Sequence, residues 1–213
     1  LVHDAGAMLL VDTVTALGGI PVEVDAWNID AVYSGTQKCL SCIPGLSPVS
    51  FSDRAAAVIQ NRSTRVQSWF MDLTLVTAYW GSGAKRAYHH TAPVNSLYAL
   101  HEALVILQEE GLEASWARHR RNHLAFAAGI EAMGLSFAVD PDYRLPQLNA
   151  VNVPDNVDEA AVRAWLLDNY GLEIGAGLGS LAGKVWRIGL MGHGSSRKNV
   201  LLSLAALDNA LGS

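Results

Sequence analysis

Along the first third of the chain the apolar residues come in short unbroken runs. Ala7-Met8-Leu9-Leu10-Val11 is continuous and stops at Asp12. A run without polar alternation predicts a strand buried on both faces, as in parallel sheets. Gly18-Gly19 and Pro21 break the pattern, and Ala31-Val32-Tyr33-Ser34 predicts a second short strand. The connection between them is long enough for a crossover. Pro44-Gly45 marks a turn, and 47–51 predicts a third strand.

The period then changes. Leu97, Leu100, Leu104 and Leu107 recur at helical spacing, and Gly111 is a natural stop. A second helix is predicted over 113–132, ending at Gly134, with Arg118, His119, Arg120 and Arg121 as a solvated basic face. Further on, strands are expected at 135–139, 149–153 and 184–189. Helices are expected at 158–170, capped by Asp158, and at 197–211, capped by Ser195 or Ser196. The alternation points to a small α/β domain following a long helix pair, with the boundary inside the second helix. The chain thus divides into 1–120 and 121–213. No internal repeat or low-complexity segment interrupts it.

Composition narrows the classes. The 213 residues suffice for one large domain or two small ones. Half are hydrophobic and only 16% are charged, so part of the surface is expected to be buried against another chain or a further segment. A net charge of −5 offers no basic face for nucleic acid. No apolar run approaches the roughly 20 residues of a membrane-spanning helix. Two cysteines do not make a disulfide-stapled secreted domain, and cytoplasm is the expected location. Leu1 leads almost at once into a strand-like run, so the sequence is expected to begin inside a longer protein.

Two residues stand out chemically. Asp12 closes one strand, at the end where α/β folds place ligands. Lys38 lies just past the end of the next. An acid and an amine on one rim could address opposite ends of a flat cofactor. Spacing alone leaves that reading level with a plainer one, a capping aspartate and a surface lysine.

The local wording separates the two. Val11-Asp12-Thr13-Val14-Thr15-Ala16-Leu17-Gly18-Gly19 followed by Tyr33-Ser34-Gly35-Thr36-Gln37-Lys38 resembles class V of the fold-type I aminotransferases. Tyr88-His89-His90-Thr91-Ala92-Pro93, Gly175-Ala176-Gly177-Leu178-Gly179 and Lys184-Val185-Trp186-Arg187-Ile188-Gly189-Leu190-Met191-Gly192 agree. Together, in order and over essentially the whole chain, they resemble the alanine–glyoxylate (serine–pyruvate) branch. The implied fold is α/β: part of the large, mainly parallel pyridoxal-phosphate domain, then a small C-terminal α/β domain. The implied reaction moves an amino group from alanine or serine to glyoxylate or pyruvate.

The resemblance also implies roles. Lys38 would bind pyridoxal 5'-phosphate as a Schiff base and shuttle the Cα proton. Asp12 would pair with the pyridine nitrogen, and Val14 would pack under the ring. Gln37 would hold the phosphate, with Tyr88 and Thr91 reaching the phosphate of a partner subunit in a homodimer. Arg187 would grip the substrate carboxylate through its two-pronged guanidinium and could close on it. Without the resemblance, Arg187 reads as an edge-strand arginine with a surface partner.

Relatives in this family carry a long N-terminal half before the segment matching Leu1. It supplies a glycine-rich phosphate turn, a ring stacked over the cofactor and further strands. An N-terminal companion segment or chain is therefore expected; the alternative is a truncated, non-catalytic remnant. Other class V chemistries, phosphonate transamination or cysteine desulfuration, share the α-carboxylate clamp. A desulfurase, however, needs a mobile cysteine, and Cys39 and Cys42 sit too close to Lys38. Cys39-Leu40-Ser41-Cys42 has metal or redox spacing but is half a zinc site at most, so packing thiols and no metal are expected. His89 and His90, adjacent, should diverge on regular structure and shape a rim or interface. The 175–179 glycines lack the context of a nucleotide loop and suggest tight backbone near substrate.

Overall fold

The computed structural model of the chain describes residues 1–80 and 87–212. Three strands form the first sheet, β1 (Leu10–Asp12), β2 (Ala31–Tyr33) and β3 (Val49–Phe51), in that order. β1 pairs with β2 in parallel and β3 joins antiparallel, so this part of the sheet is mixed. The apolar run at 7–11 does not become a buried strand here. Only its end pairs, β1 has a single neighbour, and Leu10 is 66% exposed. Burial on both faces needs a layer on each side, and no described element supplies one for Leu10.

Two short helices escaped the sequence reading: α1 (Asp53–Gln60), capped by Ser52 Oγ accepting from the Ala55 amide, and α2 (Leu73–Trp80). The long pair follows as expected: α3 (Val94–Glu110) and α4 (Leu112–Ala132), separated by Gly111 alone. Its φ of +85° is why glycine stands there.

The second sheet has the order β4-β6-β5, with β4 (Leu148–Asn152), β5 (Gly175–Ala176) and β6 (Val185–Gly189) antiparallel throughout. The strand expected at 135–139 is only a bridge, Phe137 to Val151. Asp140 caps a short turn over Pro141–Tyr143 that leads the chain away. α5 (Glu159–Tyr170) is capped by Asp158, whose Oδ1 accepts from the amides of Ala160 and Ala161. α6 (Arg197–Gly212) is capped by Ser196, not Ser195: Ser196 Oγ accepts from the Asn199 amide. Phe126 and Ile130 of α4, Leu166 of α5, Trp186 and Ile188 of β6, and Leu207 of α6 close the main core. Each such side chain stabilises the fold by about 1.5–3 kcal/mol.

The basic cluster of α4 is not a solvated face. His119 is fully buried, while Arg120 and Arg121 are exposed. Arg118, half-buried, pairs with Glu110. α4 bonds to the turn after β1, to the turn after β6 and to β4, so one of its faces satisfies polar groups from both halves of the chain. The proton on His119 follows from its partners. The Ser115 carbonyl, at 2.7 Å from Nδ1, can only accept, so Nδ1 carries the hydrogen and Nε2 accepts from the Gly192 amide at 2.9 Å. Burial pushes the pKa of His119, and of the equally enclosed His123, below the ordinary 6.5. In both, the folded state disfavours the proton that the unfolded chain accepts. Stability is therefore full above about pH 6.5 and falls as the pH drops below it. Thermal midpoints measured between pH 7.5 and 5 should show that fall, and His119→Gln should flatten it.

Candidate active site

Parallel register sets Asp12 of β1 beside Tyr33 of β2. The Thr13 amide and hydroxyl both donate to the Tyr33 carbonyl, at 2.9 and 2.7 Å, and Ser34 Oγ donates to the Thr13 carbonyl at 3.0 Å. These bonds lock the two strand ends together. Asp12 Oδ1 accepts from the Val14 amide at 2.8 Å, and Oδ2 from the Tyr33 hydroxyl at 2.7 Å. Two donors hold the carboxyl below its usual range, the Val14 amide first and Tyr33 next; the Tyr33 hydroxyl is pushed up in return. The result is a fixed anion at an exposed rim.

The next turn presents Lys38. A Cβ on Gly35 would fall 2.8 Å from Gln37 Oε1 and 3.4 Å from Val14 Cγ1. Glycine thus lets the Gln37 amide fold back alongside Val14. Thr36 Oγ1 donates to the Ile43 carbonyl, the Cys42 amide to the Thr36 carbonyl and the Ser41 amide to the Lys38 carbonyl. Ser41 is left-handed at φ 59°. Lys38 stands on this closed turn, and its amine has no hydrogen-bond or ion-pair partner among the described residues. Beneath it Cys39 is buried, donating to the Thr15 carbonyl, with its thiol pushed up to about 11 by burial. Both cysteines are free, and no group of three or more possible metal ligands occurs among the described residues.

Arg187 lies on β6, the central strand of its sheet rather than an edge. Nε donates to the Ala176 carbonyl at 2.6 Å. No carboxylate meets the guanidinium among the described residues, so the surface-partner reading fails. No direct contact joins Arg187 to Asp12 or Lys38. Nearby, a Cβ on Gly177 would fall 1.9 Å from the Leu181 carbonyl oxygen, so the backbone there is tight.

Tyr88 and Thr91 stand apart from this cluster. Their hydroxyls bond each other, and Tyr88 is 73% exposed. His89 and His90 do not diverge: their Nδ1 atoms approach to 2.8 Å with the rings nearly perpendicular, and Trp69 stacks on His89 at 4.1 Å. Residues 87–93 are neither helix nor strand, which frees adjacent side chains to converge.

Residues 1–200 match the family model described as aminotransferase class-V. The chain belongs to the class-V aminotransferase family. An alanine–glyoxylate aminotransferase of Callithrix jacchus is 45% identical over 99% of the chain and 51% of its own length. An (S)-ureidoglycine–glyoxylate transaminase of Bacillus subtilis is 40% identical over 96% of the chain and 53% of its own length. A solved alanine–glyoxylate aminotransferase from Nostoc sp. superposes with a TM-score of 0.95 at 48% identity, covering 98% of this chain and 55% of that one. The chain spans about half the length of the relatives it matches.

In this class-V chain, Asp12 is bonded to Val14 and Tyr33, Gln37 and Val14 flank Gly35, Lys38 follows on the same turn, Arg187 belongs to the second sheet, and Tyr88 with Thr91 forms an exposed pair. Sequence reasoning missed Tyr33 as the partner of Asp12. The available signal was register: a tyrosine ending the strand next to the one that Asp12 ends. Tyr33→Phe removes one of two donors, so the Asp12 carboxyl should titrate at higher pH. Carboxyl-detected NMR reads this directly, and an unmoved titration would show that the Val14 amide suffices.

Proposed function

We propose that this chain belongs to a pyridoxal-phosphate-dependent transaminase that transfers the amino group of alanine or serine to glyoxylate or pyruvate. One observation carries the reading: a carboxylate pinned by two donors shares a rim with an unpartnered lysine amine. The donor set fits the cofactor. A fixed anion suits a protonated ring nitrogen, a free amine suits an aldehyde, and the folded-back Gln37 amide beside Val14 offers a polar and an apolar contact. When bound, pyridoxal phosphate supplies the aldehyde and a ring that accepts the electrons released at the substrate Cα.

The chain's own residues do the rest. Asp12 keeps the ring nitrogen protonated, a task only the anion performs. Lys38 Nζ would hold the cofactor and, with its amine free, would move the proton at the substrate Cα. Arg187 orients the α-carboxylate with the N–H groups that Ala176 leaves free. The exposed hydroxyls of Tyr88 and Thr91 serve the phosphate in a second copy, and the exposed Leu10 is covered by further polypeptide.

Glyoxylate as acceptor is supported by the names of both curated relatives, which share it. The Bacillus subtilis relative favours a second reading with a different donor, ureidoglycine. Desulfuration is disfavoured because both cysteines lie on the closed turn beside Lys38, and Cys39 is buried with its thiol pushed up to about 11.

The test is direct. Purified full-length protein incubated with pyridoxal phosphate should gain a visible absorbance band that borohydride abolishes, and peptide mapping should find the pyridoxyl mass on Lys38. Its absence sinks the reading and leaves a non-catalytic remnant. Arg187→Gln should raise KM for alanine and glyoxylate on the order of 10- to 100-fold, the loss of charge-assisted hydrogen bonds. Equal kinetics in the variant would remove Arg187 from the site.

A further inference from the structure

We propose that the turn after β6, Gly192–Gly194, couples the Lys38 turn to the strand bearing Arg187, with His119 and Ser41 as its positioning residues. The inference rests on the transaminase reading above.

The turn begins a few residues beyond Arg187. The Leu190 amide donates to the Gln147 carbonyl at 2.9 Å, which keeps the chain in register with β4 as it leaves the sheet. From the α4 side, His119 Nε2 accepts from the Gly192 amide at 2.9 Å. Arg118 donates to the carbonyls of Gly192 and Ser195 at 2.7 and 2.9 Å, and Asn122 donates to Ser195 Oγ at 3.1 Å. From the lysine side, Ser41 Oγ accepts from the His193 amide at 2.8 Å.

There is no slack between the two turns. A Cβ on Gly192 would fall 2.0 Å from Ser41 Oγ and 2.8 Å from the Cys39 carbonyl oxygen, and Gly192 has φ +53°. α4 reaches the Asp12 turn as well, through Ser115 Oγ donating to the Gly18 carbonyl at 2.8 Å. Gln147 adds a bond to the Thr15 carbonyl at 2.8 Å.

The chemistry gives this arrangement a purpose. Arg187 must grip the carboxylate of the molecule whose Cα proton Lys38 moves, and the carboxylate carbon is bonded directly to that Cα. Lys38 stands on the turn after β2 of the first sheet and Arg187 on β6 of the second, and no hydrogen bond joins them. Their separation is set by the hydrogen bonds at the turn, and errors near 1 Å can cost about 100-fold in rate.

His119 offers a discriminating pair of variants. In His119→Gln the amide oxygen reaches the place of Nε2 and can still accept from the Gly192 amide. In His119→Asn the shorter side chain keeps the bond toward Ser115 and loses the one to Gly192. The first readout needs no cofactor: NMR-detected amide exchange in the full-length protein. Exchange at Gly192 should accelerate at least tenfold in His119→Asn, and at His193 in Ser41→Ala, with His119→Gln near wild type.

The second readout is the single-turnover reaction of alanine with loaded enzyme. His119→Asn and Ser41→Ala should slow it roughly 10- to 100-fold, and His119→Gln should restore most of the rate. In an Arg187→Gln background the same changes should add little, because there is no longer a second grip to keep in register. Equal slowing in both backgrounds, or none in either, overturns the coupling. Ser41→Ala keeps the test decisive if His119→Asn does not fold. A wild-type protein that takes no pyridoxyl tag at Lys38 overturns the transaminase reading, and this inference with it.

Discussion

The parallel register of β1 against β2 is the constraint on which the first part of the site depends. It pairs Asp12 with Tyr33, so the carboxylate meets a hydroxyl donor from the neighbouring strand. It also starts the two turns that follow from adjacent points on one rim. Thr13 and Ser34 then tie those turns to each other through backbone carbonyls. A slip of one residue would turn Asp12 to the opposite face of the sheet and separate it from the lysine turn. The pair is short, with three residues on each strand, and it holds because the side-chain bonds at its end supplement a small ladder.

The second part depends on α4. Its residues Ser115, Arg118, His119, Asn122 and His123 all bond to other segments: the Asp12 turn, the turn after β6, and β4 through Asn149. Buried polar groups raise stability only when paired, and an orphaned one costs about 1–3 kcal/mol. Each therefore specifies the position of its partner as well as adding to stability. A neutral His119 serves both sides because it can donate at one nitrogen and accept at the other. A protonated one would turn a second donor toward the Gly192 amide and place a charge beside Arg118.

Much of this was legible in the sequence where local chemistry decides structure. Asp158 and the Leu97–Leu107 spacing gave α5 and α3, and the wording around Asp12, Lys38 and Arg187 gave the family. The failures have common causes. α1 and α2, at eight residues each, are too short for a period to emerge. The 7–11 run signals burial, but burial needs covering layers, and no described element supplies one for Leu10. Arg118 and His119 look like surface charge because sequence shows no partner backbone; their carbonyl and amide partners lie more than 70 residues away. Adjacent side chains such as His89 and His90 diverge only on regular backbone, and their segment is neither helix nor strand.

Under the proposed function, the means of contact between the two halves bears on what can vary. The Lys38 turn and the turn after β6 meet through the Ser41 hydroxyl, which accepts from the His193 amide, and through the Cys39 carbonyl packed against a bare Gly192. These contacts depend on two side-chain acceptors, Ser41 Oγ and His119 Nε2, and are intolerant of any Cβ at Gly192, but they involve no side chain that need touch the substrate. The distance from the proton-moving amine to the carboxylate grip can thus stay constant while side chains around the substrate differ. That is the behaviour expected of a scaffold whose relatives share glyoxylate in their names and differ in the amino donor. On that proposal a common handle, the amino group beside a carboxylate, is read by Lys38 and Arg187 at a fixed spacing, and donor choice is left to side chains that the coupling does not involve.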